Sequence, residues 1–285
     1  MFVIAGVSGH VGGMAAHELL AAKQPVKVIV RTAKKGKEWS DLGAEVAVGS
    51  LEDAAFLAGA LKGAQGFFTL LPPNYASKDF YAEQRSTADA IAQAVKESGV
   101  PHVVLLSSVG ADLDAGNGPI KGLHYLENKL RATGTKLTAL RAAYFQENIG
   151  NSVHPARDQG IFPNFMPARD FPTPMIATRD IGVVVATVLR SPPGKSEIVD
   201  VLGPLYTVNQ VVEKIGKALG KQLQIVDIPK AQHVPAMVQA GLPQQVAEAF
   251  AEMYDGFATG KLTPKGDRTV QGQTPLEDTI GNIVR

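Results

Sequence analysis

The sequence predicts an α/β fold: a doubly wound parallel sheet with helices on both faces, joined to a small, mainly helical C-terminal lobe. Three observations carry this. Short runs that are apolar throughout alternate with helix-forming stretches, the pattern of strands buried on both faces. The first run, Phe2-Val3-Ile4-Ala5, passes through three spaced glycines straight into a helix former. After about residue 150 the texture changes, and residues 154–176 carry five prolines.

The elements follow in order. Phe2 to Ala5 is the first strand, and Met14 to Ala22 the first helix. Val26 to Val30 is the second strand, and Val46 to Val48 a short third. Asp53 is suited to cap a helix over Ala54 to Leu61. Gly66 to Leu71 is the fourth strand, stopped by Pro72-Pro73. Ala88, Ile91, Ala92 and Val95 recur at helical spacing within Asp79 to Ser98, which Gly99 closes. Val103 to Leu106 is the fifth strand, Leu123 to Ala132 a helix, and Leu137 to Leu140 the sixth strand. Residues 1–150 thus form one expected domain and 151–285 a smaller lobe, some of whose segments return to the main sheet. In that lobe 154–176 reads as loop lying over the crevice. Helices are expected from Thr178 to Leu189, Val208 to Leu219 and Lys230 to Phe257, the last interrupted near Gly241-Leu242-Pro243. Glu197 to Val201 and Leu223 to Val226 read as strands.

Composition narrows the function classes. A 285-residue chain with 45% hydrophobic and 19% charged residues can bury a large core without staples. Its formal net charge of +1 provides no global field for nucleic acid or an anionic membrane. With no cysteine there are no disulfides, thiol nucleophiles or cysteine metal sites, and no His/Asp cluster has metal-ligand spacing. No apolar run approaches the ~20 residues of a membrane span. A strand beginning at Phe2 leaves no room for a signal peptide, so a cytoplasmic location is expected.

The stretch Gly6-Val7-Ser8-Gly9-His10-Val11-Gly12-Gly13 has the context of a dinucleotide-binding turn. Gly6 turns the chain sharply off the strand. Gly9 lets the backbone approach a pyrophosphate, and Gly12 lets the helix pack close to the strand. The helix N-terminus, with Ser8, His10 and Val11 around it, then favours the phosphates. The residue after the second strand selects the dinucleotide, because an acid there repels a 2′-phosphate and an arginine welcomes it. Here it is Arg31, followed by Lys34, Lys35 and Lys37, with no carboxylate before Glu38. NADP(H) is therefore expected over NAD(H), with Arg31 and Lys35 on the phosphate.

Three stretches at strand ends could carry chemistry. Leu70, Leu71 and Pro72 pass beside the nicotinamide half, with Tyr75 beyond them facing substrate. Ser107 and Ser108 offer hydroxyls to ribose or substrate, or simply cap a turn. In His124-Tyr125-Leu126-Glu127-Asn128-Lys129, Tyr125 and Lys129 share a helix face. A lysine at that spacing lowers the tyrosine pKa and reaches the ribose, and the phenol protonates a developing alkoxide; the same spacing also arises on any amphipathic helix. His124 is a competing acid.

Taken together, Gly6-x-x-Gly9-x-x-Gly12, Arg31, the Ser107-Ser108 strand end and the block from His124 to Asn148 resemble the NmrA-like group of atypical short-chain dehydrogenases/reductases. The Thr178-Arg179-Asp180-Ile181 helix start and Gly241-Leu242-Pro243 add to the likeness, which spans essentially the whole chain. It is strongest towards the group's bacterial quinone- and triphenylmethane-reducing branches. The resemblance implies a Rossmann-like domain, NADP(H) binding and a C-terminal substrate lobe. It puts the group's ribose-holding lysine on Lys129 and brings Tyr144 to the cofactor. Tyr125 departs from the group, which often lacks that tyrosine. Around the implied substrate pocket stand Phe145, Asn148 and Phe162, whose aromatics suit a flat apolar acceptor such as a quinone. The expectation is an NADPH-dependent reductase of a quinone or similar small conjugated carbonyl, as a homodimer. The alternative is an NADP(H) sensor that controls a protein partner, since the group also holds regulators that do not turn the dinucleotide over.

Overall fold

Alternate residues of each buried strand point to opposite faces, and here the two sets enter two different cores. Ile4, Val28, Phe68, Val104, Leu140 and Val201 lie in one; Val3, Ile29, Phe67, Val103, Leu105 and Ala139 lie in the other. Both faces must therefore be covered, and in the computed structural model, which describes residues 1–284, they are.

The strands are β1 (Phe2–Ile4), β2 (Val26–Val30), β3 (Glu45–Val48), β4 (Gly66–Leu70), β5 (His102–Ser108), β6 (Lys136–Ala142), β7 (Tyr144–Phe145), β8 (Ile161–Asn164), β9 (Thr173–Ile176), β10 (Glu197–Leu202), β11 (Leu205–Tyr206), β12 (Gln224–Asp227) and β13 (Arg268–Gln271). The helices are α1 (His10–Ala21), α2 (Ala33–Asp41), α3 (Ala54–Leu61), α4 (Phe80–Ser98), α5 (Lys121–Arg131), α6 (Gly150–Gln159), α7 (Thr178–Arg190), α8 (Val208–Leu219), α9 (His233–Gln239), α10 (Gln244–Ala258) and α11 (Leu276–Ile283). The main sheet has the order β13-β10-β6-β5-β4-β1-β2-β3, parallel throughout. Residues of α1, α2 and α7 share the first core, and residues of α3, α4 and α5 the second. The strand order reverses between β1 and β4, which puts the ligand crevice of such a sheet at their carboxyl ends. No described helix is long and apolar enough to cross a membrane.

The smaller sheets, β11-β9-β7 and β12-β8, build the lobe with α6, α8 and α11. Helix α7 packs on α1, where a Cβ on Gly182 would stand 2.5 Å from that of Met14, and β10 and β13 extend the main sheet.

Several boundaries differ from expectation for identifiable reasons. Helix α1 starts at His10, not Met14, because Gly12 and Gly13 are held helical by packing against the β1 turn. The basic stretch after Arg31, for which no element was expected, is helix α2; Gly36 lets it lie so close to β3 that a Cβ there would be 2.4 Å from Val46. The proline-rich 154–176 is not all loop. It contains the second half of α6, with Pro155 inside the helix, and both β8 and β9.

Candidate functional site

Gly6 follows β1 in the left-handed region at φ +66°, where glycine is the residue that fits. Its amide-side turn closes through the Gly9 N–H to the Gly6 carbonyl at 2.9 Å. A Cβ on Gly6 would lie 2.6 Å from Leu70 Cδ2, so Leu70 forms the wall over the turn. A Cβ on Gly12 would stand 2.5 Å from the Ala5 carbonyl and 2.6 Å from that of Gly6, so any side chain there pushes α1 off the strand. Gly9 is the N-cap of α1, and no side chain caps that end. The first helix amides therefore face outward unpartnered from an exposed surface at Ser8, Gly9 and His10, the arrangement that receives phosphate. Val11 is buried beneath it.

At the end of β2, Arg31, Lys34 and Lys35 are exposed and make no ion pair among the described residues, whereas Lys37 is tied to Asp41 at 2.7 Å. Thr32 caps α2 without a side-chain bond, so a second helix N-terminus stands beside these free cations. Both halves of the site fit a phosphorylated dinucleotide. Leu71 is buried, and Pro72 and Tyr75 are exposed on the loop after β4.

The α5 residues are arranged differently from a crevice-facing pair. Helix α5 descends from the carboxyl edge of the sheet, and Lys129 lies eight residues in, about 12 Å along it. Its ammonium pairs with Asp89 of α4 at 2.7 Å, and the Tyr125 hydroxyl donates to the same carboxylate at 3.0 Å. The hydrogen bond with Asp89 raises the lysine pKa. Burial works against the Asp89 charge, but the bonds from Lys129 and Tyr125 hold its pKa below the ordinary carboxylate value. The two residues do come together, on the seam between α4 and α5. His124 bonds the Ala111 carbonyl through Nδ1 at 2.9 Å and meets Asn128 through Nε2 at 3.0 Å. Ser107 is 3% exposed and donates to Glu127 at 2.6 Å. Glu127, itself 1% exposed, also accepts from Arg141 Nε at 3.0 Å and Nη2 at 2.8 Å, and from Arg131 at 3.0 Å. The Ser107 hydroxyl is thus committed to a buried ionic cluster, not presented to a ligand.

Among the residues expected at substrate, Phe145 packs against the main core and Phe162 in the lobe core, while Asn148 is exposed in the 3-10 turn Gln146–Ile149. Tyr75 stacks on Phe80 at 6.0 Å and meets Phe250 of α10 at 5.4 Å. Tyr144, two residues past β6, neighbours Tyr254 of α10, and burial raises the pKa of both phenols.

Tyr254 also lines a cavity of about 560 Å³ enclosed by residues 164–169, the segment from Asp227 to His233, and α10. The Phe165 and Tyr254 rings are nearly parallel at 5.5 Å, and His233 stands edge-on to both at 5.3 and 5.8 Å. His233 Nε2 lies 3.0 Å from the Ile228 carbonyl, which fixes the ring as a wall. At the rim Arg169 pairs with Asp227 at 2.6 Å and Lys230 with Asp255. Sequence reasoning missed these residues; Phe165 lies three positions after the expected Phe162, and His233 and Tyr254 carry no local signal.

The model of the NmrA-like family matches residues 1–281. An NAD(P)H azoreductase of Xenophilus azovorans is 27% identical over 255 residues, covering 89% of this chain and 86% of the relative. Quinone oxidoreductase 2 of Escherichia coli (strain K12) is 24% identical over 269 residues, 92% of this chain and 90% of the relative. The structure of an Escherichia coli NADPH-dependent quinone oxidoreductase complexed with NADPH has a TM-score of 0.82 to this fold at 22% identity, covering 100% of both chains.

Proposed function

The chain belongs to the NmrA-like family, and from that premise we propose that it is an NADPH-dependent reductase transferring hydride to a quinone or similar small conjugated acceptor. The observation that carries the reading is the pairing of two bare helix N-termini with unpaired cations. The α1 amides at Gly9 to Gly12 hold the pyrophosphate, and Arg31, Lys35 and the start of α2 hold a 2′-phosphate. When bound, the reduced dinucleotide supplies the hydride. Leu70, at the carboxyl end of β4 and against the Gly6 turn, would cover it from water. A quinone needs little acid/base assistance because solvent can protonate the product oxygen, so the reading places no catalytic demand on Tyr125 or His124. The likeness to an azoreductase and to quinone reductases supports a conjugated acceptor and an enzyme rather than a sensor.

The test is oxidation of NADPH and NADH by the purified protein against a panel of quinones, azo compounds and aldehydes. Quinone-dependent turnover that prefers NADPH is expected. Tight NADPH binding without turnover on any acceptor would replace the reductase with the sensor.

A further inference from the structure

Thr178-Arg179-Asp180 opens α7, and its three side chains have different fates. The Thr178 N–H and hydroxyl donate to Glu147. Asp180 accepts from Gln273 and Thr274. Arg179, between them, is exposed and makes no ion pair among the described residues, whereas Arg131, Arg141, Arg169 and Arg268 each have an acid. Its place in the fold is fixed by how α7 lies on α1. Helix α1 leaves the carboxyl end of β1 and returns to the amino end of β2. Helix α7 runs the same way. It meets α1 at Gly182, where a Cβ would stand 2.5 Å from Met14 Cβ and 2.9 Å from the Val11 carbonyl. By Leu189 it has reached Gly66, the first residue of β4, where a Cβ would stand 2.9 Å from Leu189 Cδ2. Arg179 is therefore about one turn above Gly182 and about 60° round the helix from it, level with the first turn of α1. Its Cα–Cβ bond tilts towards the N-terminus of α7, which carries the side chain out past the end of α1 and the exposed Ser8, Gly9 and His10.

The charge at this point is unbalanced. The bare amides of α1 form the positive end of a helix dipole, and a free guanidinium stands beside them with both neighbouring acids already engaged. An anion between the two satisfies both. The first turn of α1, His10-Val11-Gly12-Gly13, has no lysine or arginine of its own, so dipoles alone would face the two negative charges of a pyrophosphate. The cations at Arg31 and Lys35 stand on the other flank, because α2 packs over β2 and β3 while α7 packs over β4 and β5. Resting on the dinucleotide part of the reading above and not on hydride transfer, we propose that Arg179 is a cofactor-binding residue whose guanidinium pairs with the pyrophosphate from the β4 side of α1, opposite Arg31. A segment far from the glycine turn in the chain then supplies the counter-ion that the turn lacks.

Binding is measured without turnover, by titration calorimetry with NADPH, NADH and adenosine 2′-monophosphate, which keeps the 2′-phosphate but has no pyrophosphate. The single tryptophan, Trp39, touches the glycine turn through Gly13, so quenching of its fluorescence gives a second readout for the dinucleotides. Arg179→Gln removes the charge from an exposed position, and Arg179→Lys keeps it. Arg190→Gln makes the same charge change at the far end of α7, also at an exposed position. Arg179→Gln is expected to weaken NADPH and NADH alike, about tenfold, the loss of one charge-assisted contact at an exposed site. Adenosine 2′-monophosphate should stay within about twofold. Arg179→Lys should recover part of the loss, and Arg190→Gln should bind all three ligands as the parent does, within about twofold.

Dinucleotide affinities within about twofold of the parent in Arg179→Gln overturn the assignment. So does a loss confined to NADPH, which puts the guanidinium on the 2′-phosphate, and so does an equal loss for adenosine 2′-monophosphate or in Arg190→Gln, which makes the effect one of scaffold or of overall charge. A parent protein that binds neither dinucleotide overturns the dinucleotide reading itself and this assignment with it. That failure is seen in the parent alone, so the two are distinguishable.

Discussion

Replacing Glu127 with Gln tests whether the strand-end serine and the α5 acid belong to scaffold or to site. Glu127 is 1% exposed and accepts from Ser107, Arg131 and twice from Arg141, which is itself 3% exposed. Glu127→Gln keeps the shape but removes the charge and turns one acceptor into a donor facing a guanidinium. Breaking a buried pair in this way costs about 3–5 kcal/mol, because the remaining charge is left uncompensated. Asp112, 3.8 Å from Arg141, offsets part of that, so the lower end, about 3 kcal/mol, is expected. At 2–4 °C per kcal/mol for a large domain this is a fall in Tm of roughly 10 °C. Urea unfolding followed by circular dichroism gives the free energy directly, with an unchanged slope expected. The double variant Glu127→Leu with Arg141→Met should recover much of the loss, since no charge of the pair stays buried. A loss below about 1 kcal/mol for Glu127→Gln refutes the reasoning and reopens a ligand-facing role for Ser107.

Other outcomes follow from the same geometry. Arg31→Ala should weaken NADPH binding about 10- to 100-fold and leave NADH within twofold, read by Trp39 quenching; equal losses for both would remove Arg31 from the 2′-phosphate. Lys129→Ala should leave NADPH affinity within about threefold, because its ammonium is engaged with Asp89 on the α4–α5 seam; a loss of a hundredfold would put Lys129 back on the ribose. His102 is 2% exposed with Nδ1 unpartnered, and burial first, then Lys136, lowers its pKa to about 4. It stays neutral in the fold while the unfolded chain takes a proton near pH 6.5. Stability is therefore lost as pH falls from about 6.5 to about 4, by about 3 kcal/mol, and His102→Gln should flatten that part of a stability-against-pH curve.

Seven of the eight strands of the main sheet were legible because each is a local apolar run, and the glycine turn because its three glycines fall close together in the chain and each has a separate steric reason. The edge strand β13 was not legible: Arg268-Thr269-Val270-Gln271 is polar, and only pairing with β10 defines it. The residues that carried the family resemblance proved harder to interpret than to find. Glu147 caps α7 by accepting from the Thr178 N–H and hydroxyl, Asp180 accepts from Gln273 and Thr274, and Gln146 bonds Met175, Thr274 and Thr279. These are polar ties between distant segments, and in a one-dimensional string a buried tie and a ligand contact look alike. The aromatic cavity was invisible for the opposite reason, since Phe165, His233 and Tyr254 meet only after three separated segments fold together.

Helix α10 reaches back onto the loops that follow β4 and β5. Gln245 accepts from the Phe80 N–H, Glu252 from that of Gly116, and Phe250 meets Tyr75, while a Cβ on Gly118 would collide with the Ala249 carbonyl. The rim of the nucleotide crevice is thus shaped by residues synthesised more than a hundred positions later. During synthesis, the glycine turn is therefore made long before the helix that braces these loops.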